Sequence, residues 1–170
     1  MKTSRLKVIA VCLILLFGNT ILYGNNPEQT PEALVHRLYD LVTFNKNELP
    51  DWDNVKALFL DEALVVLRTS STENKVFSLD GFINEFKVFI EDSNVETTGF
   101  SETVLKTHGK VFGDIAWFMV LYEAQIPGTE RKNLGVDHFS LAKTGGEWKI
   151  VSIINEIPTQ DRPVPEELRD

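Results

Sequence analysis

VDHFSLAKTGGEWKIVSII, residues 136–154, places two apolar-rich arms on either side of Gly145-Gly146. Glycine reaches positive φ without a Cβ penalty, so this pair reads as a two-residue hairpin turn. Counting outward from the turn sets Leu141 opposite Ile150, Phe139 opposite Ser152 and Asp137 opposite Ile154. Strand residues alternate in face. One face then carries Asp137, Phe139, Leu141, Trp148, Ile150 and Ile154, and the other Val136, His138, Val151 and Ile153. Both faces are apolar. Helices are expected on one, and a second copy of the chain, making a homodimer through the sheet, on the other.

Working outward, strand-like stretches at 94–108 and 113–126 precede the arms at 132–143 and 147–157, with Pro127-Gly128 as the break before the third. The N-terminal half carries helical periodicity. Thr30 can cap, Pro31 suits a first helical position, and Leu34, Leu38, Leu41 and Val42 share a face to about Phe44. Asp51 caps a second helix whose Trp52, Val55, Leu58 and Phe59 align. Ala63 to Leu67 reads as a strand, Thr69 to Asn74 as a polar turn, and Ser78 caps a third helix with Phe82, Phe86 and Phe89 in its core stripe. The expected class is α+β: three N-terminal helices packed on a curved, mostly antiparallel sheet. Residues 158–170, with Pro158, Pro163 and Pro165 among charged neighbours, read as a solvated acidic tail.

Residues 1–24 have a different character. Lys2, Arg5 and Lys7 precede an apolar run from Val8 to Leu16 that resumes at Ile21, and no acid occurs before Glu28. That order predicts a signal peptide, a leader at 25–30 and export to the periplasm or medium. The run is short for a membrane span of about 20 residues; left uncleaved, it would be the chain's one contact with a membrane. Removing residues 1–24 takes Cys12, the only cysteine, and three of 17 basic residues but none of 25 acidic ones. The net charge then moves from −8 to −11 (14 basic against 25 acidic). Such a domain has no disulfide and no thiolate nucleophile, and its acidity argues against nucleic acid as a partner.

Three segments carry a family resemblance: Asp114-Ile-Ala-Trp-Phe-Met-Val, Gly135-Val-Asp-His-Phe-Ser-Leu and Gly145-Gly-Glu-Trp-Lys-Ile. They resemble the last three strands of the nuclear transport factor 2-like superfamily, which includes SnoaL-like polyketide cyclases and ketosteroid isomerase. With the preceding helices and strand, the resemblance covers 31–157. It implies a cone-shaped half-barrel with a pocket between sheet and helices, often dimeric. The fold serves isomerases, cyclases, dehydratases, passive binders and accessory domains, so it does not settle chemistry.

Asp137 is the sharpest candidate, because the hairpin register puts it among apolar side chains that raise a carboxyl pKa. A neutral buried acid can donate a hydrogen bond to a developing oxyanion, the role the resemblance to ketosteroid isomerase implies for it. Tyr39 in the first helix is the matching phenolic donor that the resemblance implies, one position past Leu38. Arg68, at the end of the first strand, is a candidate partner for Asp137 or for an anionic ligand. Trp117, Phe139 and Trp148 are candidate pocket walls, and Glu123 and Glu156 candidate rim groups. The resemblance implies an acid at the end of the first strand, but Leu67 and Arg68 stand there, leaving no base for carbon-bound proton abstraction. His36, His108 and His138 are far apart in sequence without metal-ligand spacing, Ser152 has no triad company, and no cofactor motif occurs. The expected function is non-catalytic binding of a small apolar or amphipathic ligand, or of a protein. The alternative is a small lyase, isomerase or hydrolase using Asp137 with Tyr39 or Arg68.

Overall fold

The computed structural model describes residues 30–130 and 132–169. The expected signal segment, 1–24, and leader residues 25–29 lie outside them.

Local chemistry sets the helices. Thr30 accepts the Ala33 N–H at 3.1 Å, and Pro31 occupies the first turn, starting α1 (Pro31–Val42). Val35, Leu38, Tyr39 and Val42 fall on its buried face. Ser78 accepts the Gly81 N–H at 3.2 Å and starts α3 (Leu79–Asp92), which buries Leu79, Phe82, Ile83 and Ile90. Between them, Asp51 caps α2 (Trp52–Ala57), which is six residues long.

The expectation of three helices packed as a layer needs correction. Phe59, assigned above to the second helix, already begins β2 (Phe59–Arg68), so α2 stops after less than two turns. Strand structure also takes Phe44–Asn45 (β1), expected in a helix end and loop, and Asn74–Ser78 (β3), which runs up to the α3 cap. Val76 and Phe77 favour a pleated edge over a loop. The described chain is mostly β, with two helices longer than seven residues beside a seven-stranded sheet.

The remaining strands are β4 (Gly99–Phe112), β5 (Ile115–Gln125), β6 (Lys132–Thr144) and β7 (Glu147–Glu156). The sheet order is β1-β4-β5-β6-β7-β2-β3, antiparallel except for the parallel pair β2–β7. α1 lies against β4 and β7, and α3 against β2 and β3. The β6–β7 turn falls at Gly145-Gly146, with φ of 60° and 89°, and Leu141 pairs with Ile150. Beyond that pair the observed register departs from the expected one. Ser140 pairs with Ser152, Phe139 with Ile153 and Asp137 with Asn155, so Val151 is an extra residue, a β-bulge. One inserted residue inverts every later side chain. Ile153 turns inward at 4% exposure and Ile154 outward at 48%, the reverse of the sequence reading.

The inward face and helices enclose a main core that includes Phe139, Ile150, Val65 and Val120, and a smaller one of Phe44, Ile90, Val95 and Phe100. The C-terminal segment is not a loose tail. One turn of 3-10 helix, Glu166–Leu168, comes back to β4 and β5, and Leu168 is 2% exposed. Leu168 joins neither inner core, and nor does buried Val136, which alternates with inward Asp137. The segment therefore covers part of the outer sheet face.

Candidate functional site

A cavity of about 440 Å³ opens between α1, α3 and the inner faces of β2 and β4–β7. Its apolar wall includes Leu38 and Val42 from α1, Phe82, Phe86 and Phe89 from α3, and Phe100 from β4. The α3 phenylalanines repeat at helical spacing and meet edge-on at 5.7–6.1 Å between centroids. Phe86 and Phe89 continue onto Phe100 at 5.8 and 5.2 Å. The stripe read as plain core is also one side of the cavity.

The polar end is built from four strands and α1. Tyr39 donates its hydroxyl proton to Asp137 Oδ2 at 2.8 Å. Asn155 Nδ2 donates to Asp137 Oδ1 at 2.8 Å and to the Tyr122 hydroxyl at 3.1 Å. Both amide protons of Asn155 are thereby used, and Tyr122, accepting one, keeps its own proton to donate. The Tyr39 and Tyr122 rings lie 5.4 Å apart. Tyr122 reaches this position because its register partner on β6 is Gly135, where a Cβ would come within 2.3–2.5 Å of the phenol ring.

Glu102 on β4 completes the end. Its backbone N–H donates to Thr43 Oγ1 at 2.9 Å, and the Thr43 hydroxyl donates back to its carbonyl at 3.2 Å. The Glu102 carboxyl lines the cavity and bonds to no other described side chain. Burial pushes it up to about 8, with the negative field of Asp137 adding to the rise. Burial likewise lifts Asp137 to about 6, against the lowering effect of the bonds from Asn155 and Tyr39. Near neutrality the end therefore holds a carboxylate at Asp137 beside a protonated Glu102. Burial, and then Asp137, hold both tyrosines well above the ordinary phenol value, so they stay neutral.

The sequence-derived candidates divide. Tyr39, Arg68 and Asp137 line the cavity, but Arg68 does not pair with Asp137. It meets Glu156 in a fork, Nε to Oε1 at 2.9 Å and Nη2 to Oε2, while Arg162 Nη1 reaches Glu156 at 3.3 Å. Those contacts, the Arg68 bond first, hold Glu156 down at about 2. Phe139 is 0% exposed and sits in the core against Tyr39. Trp148 packs on the main core outside the cavity lining. Trp117 is on the outer face, 37% exposed, between His108 and His138. His36 bonds Thr107 at 2.9 Å, fastening α1 to β4. Glu123 pairs with Lys132 at 2.7 Å. Among the described residues no three His, Cys, Asp or Glu side chains gather as a metal site.

Glu102, Tyr122 and Asn155 were not singled out from sequence. Glu102 shares its face with Phe100 and Val104, a period-2 signal that was available. Asn155 was hidden by the Val151 bulge, without which it would face outward.

No protein-family model matches the sequence, and no curated protein matches it. Solved structures do. A nuclear transport factor 2-like protein of unknown function from Silicibacter pomeroyi DSS-3 is 25% identical, with 74% of this chain and 91% of that one covered and a TM-score of 0.51. One with a cystatin-like fold from Novosphingobium aromaticivorans is 11% identical, covering 80% and 85%, at TM-score 0.61. The β subunit of benzoate 1,2-dioxygenase from Burkholderia mallei ATCC 23344 is 14% identical, covering 81% and 94%, at TM-score 0.57. The chain has the nuclear transport factor 2-like, cystatin-like fold.

Proposed function

We propose that this chain is an exported binding domain that holds a small amphipathic ligand in its cavity without transforming it. One observation carries the reading: a cavity of about 440 Å³, within the usual range for small-ligand sites, has an aromatic wall and a single hydrogen-bonded polar end. Each group of that end except the Glu102 carboxyl and the Tyr122 proton already has a partner, which suits holding and orienting more than turnover. The exposed outer face around Trp117 is the surface through which two copies would pair. Native mass spectrometry of the full chain from its source should find a small molecule retained, and Phe86→Trp should lose it by filling the cavity. Recovery of only empty protein from lipid- and metabolite-rich extracts would sink the reading.

A second reading keeps catalysis. Two carboxyls in one cavity, raised to about 6 and about 8, form the kind of pair from which acid–base chemistry draws a base and an acid. Chemical conversion of the retained molecule, abolished by Asp137→Asn, would favour it over plain binding.

A further inference from the structure

Among the groups lining the cavity, the charges are one-sided. Lining the cavity together with Glu102 are Tyr39 from α1, Glu85 from α3, Arg68 from β2, Tyr122 from β5 and Asp137 from β6, while β7 supplies neutral Asn155. The one cation in that set, Arg68, is already engaged in a fork by Glu156. An anionic ligand would meet the Asp137 carboxylate with no free positive partner. A neutral ligand would bring no counter-charge to the Asp137 carboxylate or to the Glu102 carboxyl beside it, which has no side-chain partner among the described residues.

Resting on the binding role above, we propose that the ligand carries a protonated amine on an aromatic or alkyl body, with the ammonium between Glu102 and Asp137 and the body along Phe86, Phe89 and Phe100. An ammonium has three donors and no acceptor, and both carboxyls have unused lone pairs. The Tyr39 and Tyr122 rings beside Asp137 add the attraction of an aromatic quadrupole for a cation. The ligand's charge also favours the ionised form of each carboxyl, so binding expels the proton of Glu102.

The test compares three probes of one shape on the full chain by calorimetry: 4-phenylbutylamine, 4-phenylbutan-1-ol and 4-phenylbutyrate. The amine stays protonated up to pH 9, so its affinity rises from pH 6 to pH 9 as Asp137 and then Glu102 ionise. At pH 8 it should bind at least about tenfold tighter than the alcohol, and the acid weakest of all. Titrations at pH 7 in buffers of different ionisation enthalpy should show roughly one proton released per amine bound. Glu102→Gln, which keeps the shape, should cut amine affinity about tenfold and remove the proton release, while changing alcohol affinity much less than amine affinity. Tighter binding of the alcohol or the acid, or amine binding without proton release, overturns the amine assignment while leaving the cavity a binding site. Binding of none of the three overturns both readings together.

Discussion

At the scale of single residues, the polar end depends on atoms that hold one another. Tyr39 donates to Asp137, and that bond lowers the carboxyl against the rise caused by burial. Tyr39→Phe removes the donor and keeps the ring, so Asp137 should titrate above about 6, visible by carbon-detected NMR of the carboxyl. The same change should cost about 1 kcal/mol, the usual net worth of one hydrogen bond. An unmoved carboxyl titration would show that Asn155 alone holds the charge. Gly135 acts differently, by what it lacks. A methyl there would overlap the Tyr122 ring, so Gly135→Ala should cost roughly 1–3 kcal/mol, as overpacking does, and push Tyr122 from its bond with Asn155. In a Tyr122→Ala background the penalty should nearly vanish. A penalty of equal size in both backgrounds would place the cost in the strand itself, not in the contact.

Between elements, two sets of carboxyls give stability opposite dependences on pH. Glu102 on β4 and Asp137 on β6 are raised in the folded chain, so the fold keeps protons that the unfolded chain releases above its ordinary carboxyl values. Their contribution is complete below those values and is lost as pH rises through about 6 and then about 8. Glu156, held down at about 2 by Arg68 across the β2–β7 pair, works the other way. Its contribution is complete above the ordinary value and is lost as pH falls towards 2. Urea denaturation should therefore show stability falling from pH 5.5 to pH 9, with Glu102→Gln flattening the upper part of the slope. Superimposable slopes for the two proteins would contradict the burial of that carboxyl. These pairings also mark how far the sequence can be read. The Gly145-Gly146 turn and the Leu141–Ile150 pair follow from glycine chemistry and period-2 alternation, and both stand. The bulge at Val151 carries no such local signal, since any residue can be the extra one, and it turned Ile153 and Asn155 inward. Asp137 and Tyr39 could be named before the structure, whereas Asn155 and Glu102 join them only through pairings across the sheet. The second helix shrank for a similar reason: Phe59 fits a helical face as well as a strand, and pairing with Ile150 on β7 decided for the strand, leaving Leu58 as the helix cap.

At the scale of the whole molecule, the outer face of the sheet is the unresolved half of the burial problem. The C-terminal segment covers one part, where Leu168 and Val136 are buried. Leu168→Ala should cost about 2 kcal/mol, the low end for truncating a buried leucine, because the segment can detach without opening the inner cores. The rest stays bare, with Trp117 stacked on His138 at 6.3 Å and Ile115 and Ile154 roughly half exposed. Contiguous apolar surface of this kind on a folded domain marks an association site. A twofold pairing would set the same patch against itself, so one substitution acts twice, once in each copy. Trp117→Glu should therefore turn a dimer into a monomer in sedimentation equilibrium while leaving thermal unfolding of the monomer little changed, because Trp117 belongs to neither inner core. The cavity opens on the opposite face, so the calorimetric behaviour of the amine probe should survive that dissociation. A wild-type chain that sediments as a monomer at high concentration would remove the homodimer and leave the Trp117 surface for a different protein to cover.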